Sequence, residues 1–169
     1  MQQVENLTIE SVWDILQTIP DPEVPVISIV ELGVVRNVEI VNSDSIKVQI
    51  TPTYSGCPAL KTMEEDVMQK LREIGFTHIE IETIYKPAWT TDWLSENTKQ
   101  KLKEYGIAPP AKLTFGHLIP LAKSIDEKIP CPFCNSMNTA LTSQFGSTAC
   151  KALYFCYNCH QPFEHFKCH

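Results

Sequence analysis

The stretch "SIKVQITPTYSGCPALKTMEEDVMQKLREIGFTHIEIETIY", residues 45–85, changes its hydrophobic period twice. Ile46, Val48 and Ile50 alternate with Lys47 and Gln49, the period of two that marks a half-buried strand. Leu60, Met63, Val67, Leu71 and Ile74 then recur at helical spacing, and Gly75 stands where a helix ends on a left-handed residue. "THIEIETIY" alternates again, with Ile79 and Ile81 facing inward. The segment therefore predicts strand, loop, helix and strand, with one thiol, Cys57, at the junction between the first strand and the helix.

Upstream, "VVRNVEI" puts Val34, Val38 and Ile40 on one face, with Arg36 and Glu39 toward solvent. "VNSDS" between this run and residue 46 has turn chemistry, so the two runs predict a β-hairpin. Val12, Ile15, Leu16 and Ile19 predict an earlier helix, with Thr8 as N-cap, Glu10 in the first turn and Pro20 at its end. "PDPEVPV", from Pro20, has to be a loop, because proline donates no backbone hydrogen bond and fixes φ. A further helix is expected from about Asp92 to Tyr105, closed by Gly106. Trp89 and Trp93 read as packing aromatics. The fold class expected is α+β: a two-layer α-β-β-α-β domain over residues 1–106, a linker over 107–128, and a small zinc-ribbon-like β domain over 129–169. The linker contains a Pro-Pro pair and admits one short strand.

The chain has 169 residues, 43% of them hydrophobic and 20% charged, with a formal net charge of −6. That balance suits a globular protein and argues against a general nucleic-acid binder, which needs a basic stripe to neutralise phosphates. No apolar run approaches the ~20 residues of a membrane helix, and the first residues lack the pattern of a secretory signal. A cytoplasmic protein is expected.

Six of the seven cysteines lie from Cys131 onward. "CPFC" (Cys131, Cys134) and "CYNC" (Cys156, Cys159) are two C-x-x-C pairs, each able to turn two thiolates toward one ion. Together they offer the four-thiolate set of structural zinc. Iron or an iron–sulfur cluster is the alternative, since four thiolates hold either. A module of ~40 residues buries too little core to stand without such a staple. Cys150, Cys168, His160, His165 and His169 lie nearby as spare ligand types.

With Pro58 at the first helical position, Cys57 is expected at the N-cap, where unpaired N–H groups and the helix dipole favour thiolate. Such a thiol is a nucleophile or a soft-metal ligand; the plain alternative is a small residue filling space. Gly56 before it leaves the approach open. Neither His78 nor His117 is tied to Cys57 by spacing. Asp21 and Glu23 in "DPE" form an acidic pair whose plain role is a turn.

"DPEVPVISIVELGVVRNVEI" and "TPTYSGCPAL" resemble the small α/β domain of iron–sulfur assembly proteins, such as the SufT group and the cytosolic iron–sulfur targeting factors, over roughly Val4 to Tyr105. The resemblance implies that the loop of Asp21 and Glu23 lies beside the loop of Thr51, Cys57 and Pro58. It also implies that Cys57 carries iron or an iron–sulfur cluster transiently. The chain as a whole, including "PAWTTDWLSE", "FGSTACKALYFC" and "PFEHFKCH", resembles the PaaD (PaaJ) family of phenylacetate-degradation proteins. Members accompany the multicomponent oxygenase that epoxidises the ring of phenylacetyl-CoA. The implied role is maturation: delivery of iron or a cluster to that system, whose reductase carries a [2Fe–2S] centre and whose oxygenase carries a di-iron site. The implied partners are the oxygenase and reductase components and iron–sulfur donors, with no nucleic acid and no membrane; a homodimer is admitted. The sequence has neither a Glu-x-x-His pair nor a G-x-G-x-x-G loop, so an accessory role is expected rather than the catalytic one. Two other readings compete, a structural or regulatory subunit of the oxygenase and a thiol enzyme using Cys57.

Overall fold

The computed structural model describes residues 7–110 and 128–167. Contacts divide the chain into two compact units, residues 1–89 and 90–169.

The first unit holds α1 (Ile9–Leu16), β1 (Val35–Asn42), β2 (Ser45–Ile50), α2 (Ala59–Glu73) and β3 (His78–Thr83), in the expected order. Thr8 caps α1 in a reciprocal box: its hydroxyl accepts from the Ser11 N–H at 3.2 Å, and Ser11 Oγ accepts from the Thr8 N–H at 3.0 Å. The sheet order is β1-β2-β3, antiparallel across the hairpin and parallel across the α2 crossover. A crossover helix is what a parallel pair requires, since a tight turn can only reverse the chain. Register aligns three rows on one face, apolar but for Thr83: Val35–Ile50–Thr83, Val38–Val48–Ile81 and Ile40–Ile46–Ile79. The opposite face is polar, with Lys47 Nζ bridging Glu80 at 2.9 Å and Glu82 at 3.1 Å.

Two details depart from simple alternation. A register shift between Val35 and Asn37 lets Val34 and Val35 both be buried and moves Arg36 out of the apolar rows. On α2 the buried stripe is Ala59, Met63, Val67 and Leu71, while Leu60 is only half-buried. Gly75 closes α2 at φ 112, with the Phe76 N–H reaching the Leu71 carbonyl at 3.1 Å. The proline-rich loop after α1 is packed rather than loose. It buries Val24, Ile27 and Ile29, and Asp21 N–H donates to the Ile27 carbonyl at 2.9 Å. Trp89 is buried as expected, and its indole donates to the Leu32 carbonyl at 2.8 Å.

In the second unit the expected helix from Asp92 is divided. A 3-10 turn spans Thr91–Trp93, Leu94 is extended, and α3 runs Glu96–Glu104. Ser95 is the reason: its side chain accepts from the Thr98 N–H at 3.0 Å and so starts the helix there. Gly106 has φ 92, and a Cβ on it would stand 3.0 Å from the Phe133 ring. A four-stranded sheet follows, ordered β4-β7-β6-β5, from β4 (Ile107–Ala108), β5 (Thr139–Ser143), β6 (Lys151–Cys156) and β7 (Pro162–Phe166). The β5–β6 hairpin lies between the two cysteine pairs. Strand β4 falls at the start of the expected linker, yet it pairs in parallel with β7, and the compact units part at 89/90 rather than at 106. Residues 111–127 of the expected linker, including His117, lie outside the described residues, as do Cys168 and His169.

Lys151, nearly fully buried, pairs with Glu164 at 3.0 Å, and the other Glu164 oxygen accepts from the Ser147 N–H at 2.6 Å. Gly146 makes room for that carboxylate, since a Cβ there would sit 2.6 Å from it.

Leu71 is fully buried on the inner stripe of α2. Leu71→Ala should cost about 2–5 kcal/mol, whereas Leu60→Ala should cost less than half of that. Urea unfolding followed by circular dichroism checks both; equal losses would contradict the assigned face.

Candidate functional site

Each C-x-x-C pair is folded by the same backbone device. The Cys131 N–H donates to the Ser136 carbonyl at 3.0 Å, and the Cys156 N–H donates to the Gln161 carbonyl at 3.0 Å. The residue after the second cysteine is left-handed in both pairs, Asn135 at φ 58 and His160 at φ 58. Asparagine and histidine are among the side chains that enter that region most readily. His160 thus has a backbone role at an exposed position.

The β5–β6 hairpin and the return of β7 bring the two knuckles face to face. The four sulfurs of Cys131, Cys134, Cys156 and Cys159 all lie within 4.8 Å of one another. Cys131 Sγ is 3.6 Å from Cys159 Sγ, and Cys134 Sγ is 3.6 Å from Cys156 Sγ. Four sulfurs bonded tetrahedrally to one ion at ~2.3 Å stand roughly 3.8 Å apart, so this set fits a single metal ion. Cys131 and Cys156 are fully buried, while Cys134 and Cys159 are half-buried. Cys131 and Cys156 belong to the ribbon core, beside Ile129, Ala152, Tyr154 and Phe163.

The charges are unequal before an ion arrives. Backbone N–H donation from Ser136 is the main cause that brings the Cys134 thiol down to about 6. Burial among its neighbours pushes Cys159 up to about 12, and burial pushes Cys131 upward as well. Cys134 thus takes charge readily while burial holds Cys131 and Cys159 in their thiol forms, because a poorly solvated thiolate is costly without a donor.

The spare ligands separate from this cluster. Cys150 is buried at the start of β6, with the Thr148 hydroxyl 3.0 Å from its sulfur. His165 is buried on β7, its Nδ1 3.1 Å from the Ala108 carbonyl, and it packs edge-on against Tyr154. Sequence reasoning missed β7, although Phe163 and His165 alternate with exposed or half-exposed residues as a strand requires.

In the first unit Cys57 is half-buried and is not the N-cap. Pro58 takes the cap position in helical conformation, at φ −68 and ψ −26, so Cys57 lies one residue earlier. The cap argument for an activated thiol therefore does not carry over. The Cys57 N–H donates to the Tyr54 carbonyl at 3.2 Å, closing a turn with Gly56 at φ 82. An added Cβ on Gly56 would meet nothing within 4 Å. This glycine serves the positive φ of the turn, with open space around it. Thr51 is buried, its N–H on the Val34 carbonyl at 2.9 Å. Asp21 is buried too, and its Oδ1 accepts from the N–H groups of Glu23 at 2.9 Å and Val24 at 2.6 Å. That is the turn-forming role, and it orients the loop carrying half-buried Glu23.

Comparison with known proteins gives two family matches. The model for iron–sulfur cluster assembly proteins matches residues 9–82, and that for the PaaD zinc beta ribbon domain matches residues 121–167. A putative 1,2-phenylacetyl-CoA epoxidase subunit of Escherichia coli (strain K12) is 44% identical over 161 residues, covering 95% of this chain and 93% of its own. An Fe-S protein maturation auxiliary factor of Porphyromonas gingivalis is 32% identical over 96 residues, 56% of this chain and 90% of its own. Among solved structures, a domain of unknown function from Bacillus anthracis matches with a TM-score of 0.51 at 26% identity, covering 55% of this chain and 89% of that one. Among the described residues, no helix is long and apolar enough to cross a membrane.

Filling the four-sulfur centre has to displace at least the protons of Cys131 and Cys159, whose thiols burial holds above the ordinary range. Metal affinity should therefore fall by about tenfold per proton for each unit of pH lost, at least roughly 100-fold in all. Chelator competition at pH 6.5 and 7.5 checks this; an affinity independent of pH would contradict it.

Proposed function

The chain belongs to the PaaD family, to which its zinc ribbon and its likeness to the Escherichia coli epoxidase subunit assign it, and on that premise we propose that it matures the metallocofactors of the phenylacetyl-CoA epoxidase system. In this reading it is an accessory, cytoplasmic protein that delivers iron or an iron–sulfur cluster and does not carry out the oxygenation. The observation that carries the reading is the joining, in one chain, of an iron–sulfur assembly domain with a half-exposed loop thiol to a separate four-thiolate ribbon.

Cys57 is the carrying residue of the proposal. Its thiolate forms a sulfur–iron bond as a donor's thiolate leaves, and the exchange reverses at the acceptor; no electrons are transferred. A cysteine on a turn with open space beside it suits passage, whereas four sulfurs gathered within reach of one ion suit retention. Asp21, Glu23, Thr51 and Pro58 belong to the same proposed site. Asp21 fixes its own loop through two backbone N–H groups, Thr51 anchors the end of β2, and Pro58 sets the direction in which α2 leaves Cys57. Glu23 supplies a carboxylate, a hard oxygen ligand that suits iron.

In the ribbon we assign zinc to Cys131, Cys134, Cys156 and Cys159. The close sulfur spacing favours one ion over a cluster, whose several irons and sulfides need a wider ring of thiolates. Partners in this reading are the oxygenase and reductase proteins and an iron–sulfur donor. The description of the Escherichia coli relative as an epoxidase subunit favours a second reading, in which the chain is a structural or regulatory subunit.

Cys57→Ser separates the two readings. The residue is half-buried and outside the helix, so stability should change by less than about 1 kcal/mol. A serine hydroxyl stays protonated at neutral pH and is a poor ligand for iron. Expressing the epoxidase proteins with wild-type or variant chain should therefore give at least about a tenfold drop in epoxidation and in iron loading of its components. Normal iron loading with the serine variant would refute the carrier role and favour the subunit reading.

A further inference from the structure

The two knuckles match in backbone but not in side chains. The residue before the second cysteine is Phe133 in one and Asn158 in the other. Asn158 Nδ2 reaches across from its own knuckle and donates to Cys134 Sγ at 3.7 Å. The equivalent position opposite, Phe133, has no donor, and its ring lies against Gly106. Among the described residues no side-chain nitrogen donates to Cys159. Cys134 and Cys159 are also the two half-buried sulfurs, the pair that solvent can reach.

Resting on the reading that these four sulfurs hold one ion, we infer that Asn158 secures Cys134 as the lasting ligand and leaves Cys159 as the thiolate through which the centre opens. An N–H donor draws charge from a sulfur and lowers its readiness to attack an electrophile or to leave the ion. A half-buried sulfur without that donor keeps more charge and reacts first. Asn158 is thus a positioning residue acting through Cys134, and the order of ligand loss is set by a side chain outside the ligand set.

The test uses the full chain loaded with zinc, its zinc content measured beforehand, and treated with limiting iodoacetamide. Each alkylation forms a sulfur–carbon bond, expels iodide and breaks one zinc–sulfur bond. Mass mapping of the modified peptides reads the order, and a zinc-sensitive dye reads release. Cys159 should be alkylated about tenfold faster than Cys134, the size expected of one hydrogen bond to a charged group. Asn158→Leu, at an exposed position, should bring the two rates to within about twofold of each other. Asn158→Gln, which keeps the amide, should restore the difference. Equal or reversed rates in the zinc-loaded wild type, or a ratio unmoved by Asn158→Leu, would overturn the inference and leave the metal centre standing. A protein that takes up no zinc would overturn the centre, and the inference with it.

Discussion

Four thiolates can share a space less than 5 Å across only with a cation among them, and the second unit is built around that condition. Two of the seven side chains in the ribbon's core cluster are metal-site cysteines, Cys131 and Cys156. The rest of that core is small: Ala108, Ile129, Ala152, Tyr154 and Phe163. A module of ~40 residues with such a core gains too little from apolar burial to offset the entropy of ordering its chain. Binding an ion through four thiolates supplies on the order of 10 kcal/mol, enough to reverse that balance. The other polar devices support the same geometry from outside. The Lys151–Glu164 pair and its hold on Ser147 fix the hairpin loop that separates the knuckles.

The first unit meets the opposite condition. Its three largely aliphatic rows are sufficient to hold the sheet against α1 and α2. Its thiol is therefore free of any structural duty of the kind the ribbon cysteines have. Cys57 sits on a turn between β2 and α2, beside a glycine with empty space around it. One chain thus carries thiols in two settings, a single cysteine on a turn and a set of four gathered face to face. The proposed division of labour between retention and transfer follows from that contrast.

Much of this was legible in the sequence because periods are local. The switch from two to 3.6 and back between residues 45 and 83 specifies β2, α2 and β3, since each period has one geometric solution. The C-x-x-C pairs were legible for the same reason: a knuckle needs only four residues. What escaped is non-local or one residue wide. Strand β4 is two residues long, too short for any period, and it exists only because β7 lies beside it. The shift in β1 puts Val34 and Val35 inward together, which alternation alone forbids. Pro58 suits the cap position and the first helical position almost equally by its fixed φ, so sequence placed Cys57 one residue too close to the helix. Asn158 reads as an ordinary turn residue until the knuckles face each other.

The central claim is that the ion is part of the fold of the second unit and not of the first. Amide hydrogen exchange on the full chain, before and after removal of metal by a chelator, tests it most directly. The account predicts that β5, β6 and β7 lose their protection on chelation while β1, β2 and β3 keep theirs. Retained protection across β5–β7 in metal-free protein would contradict it.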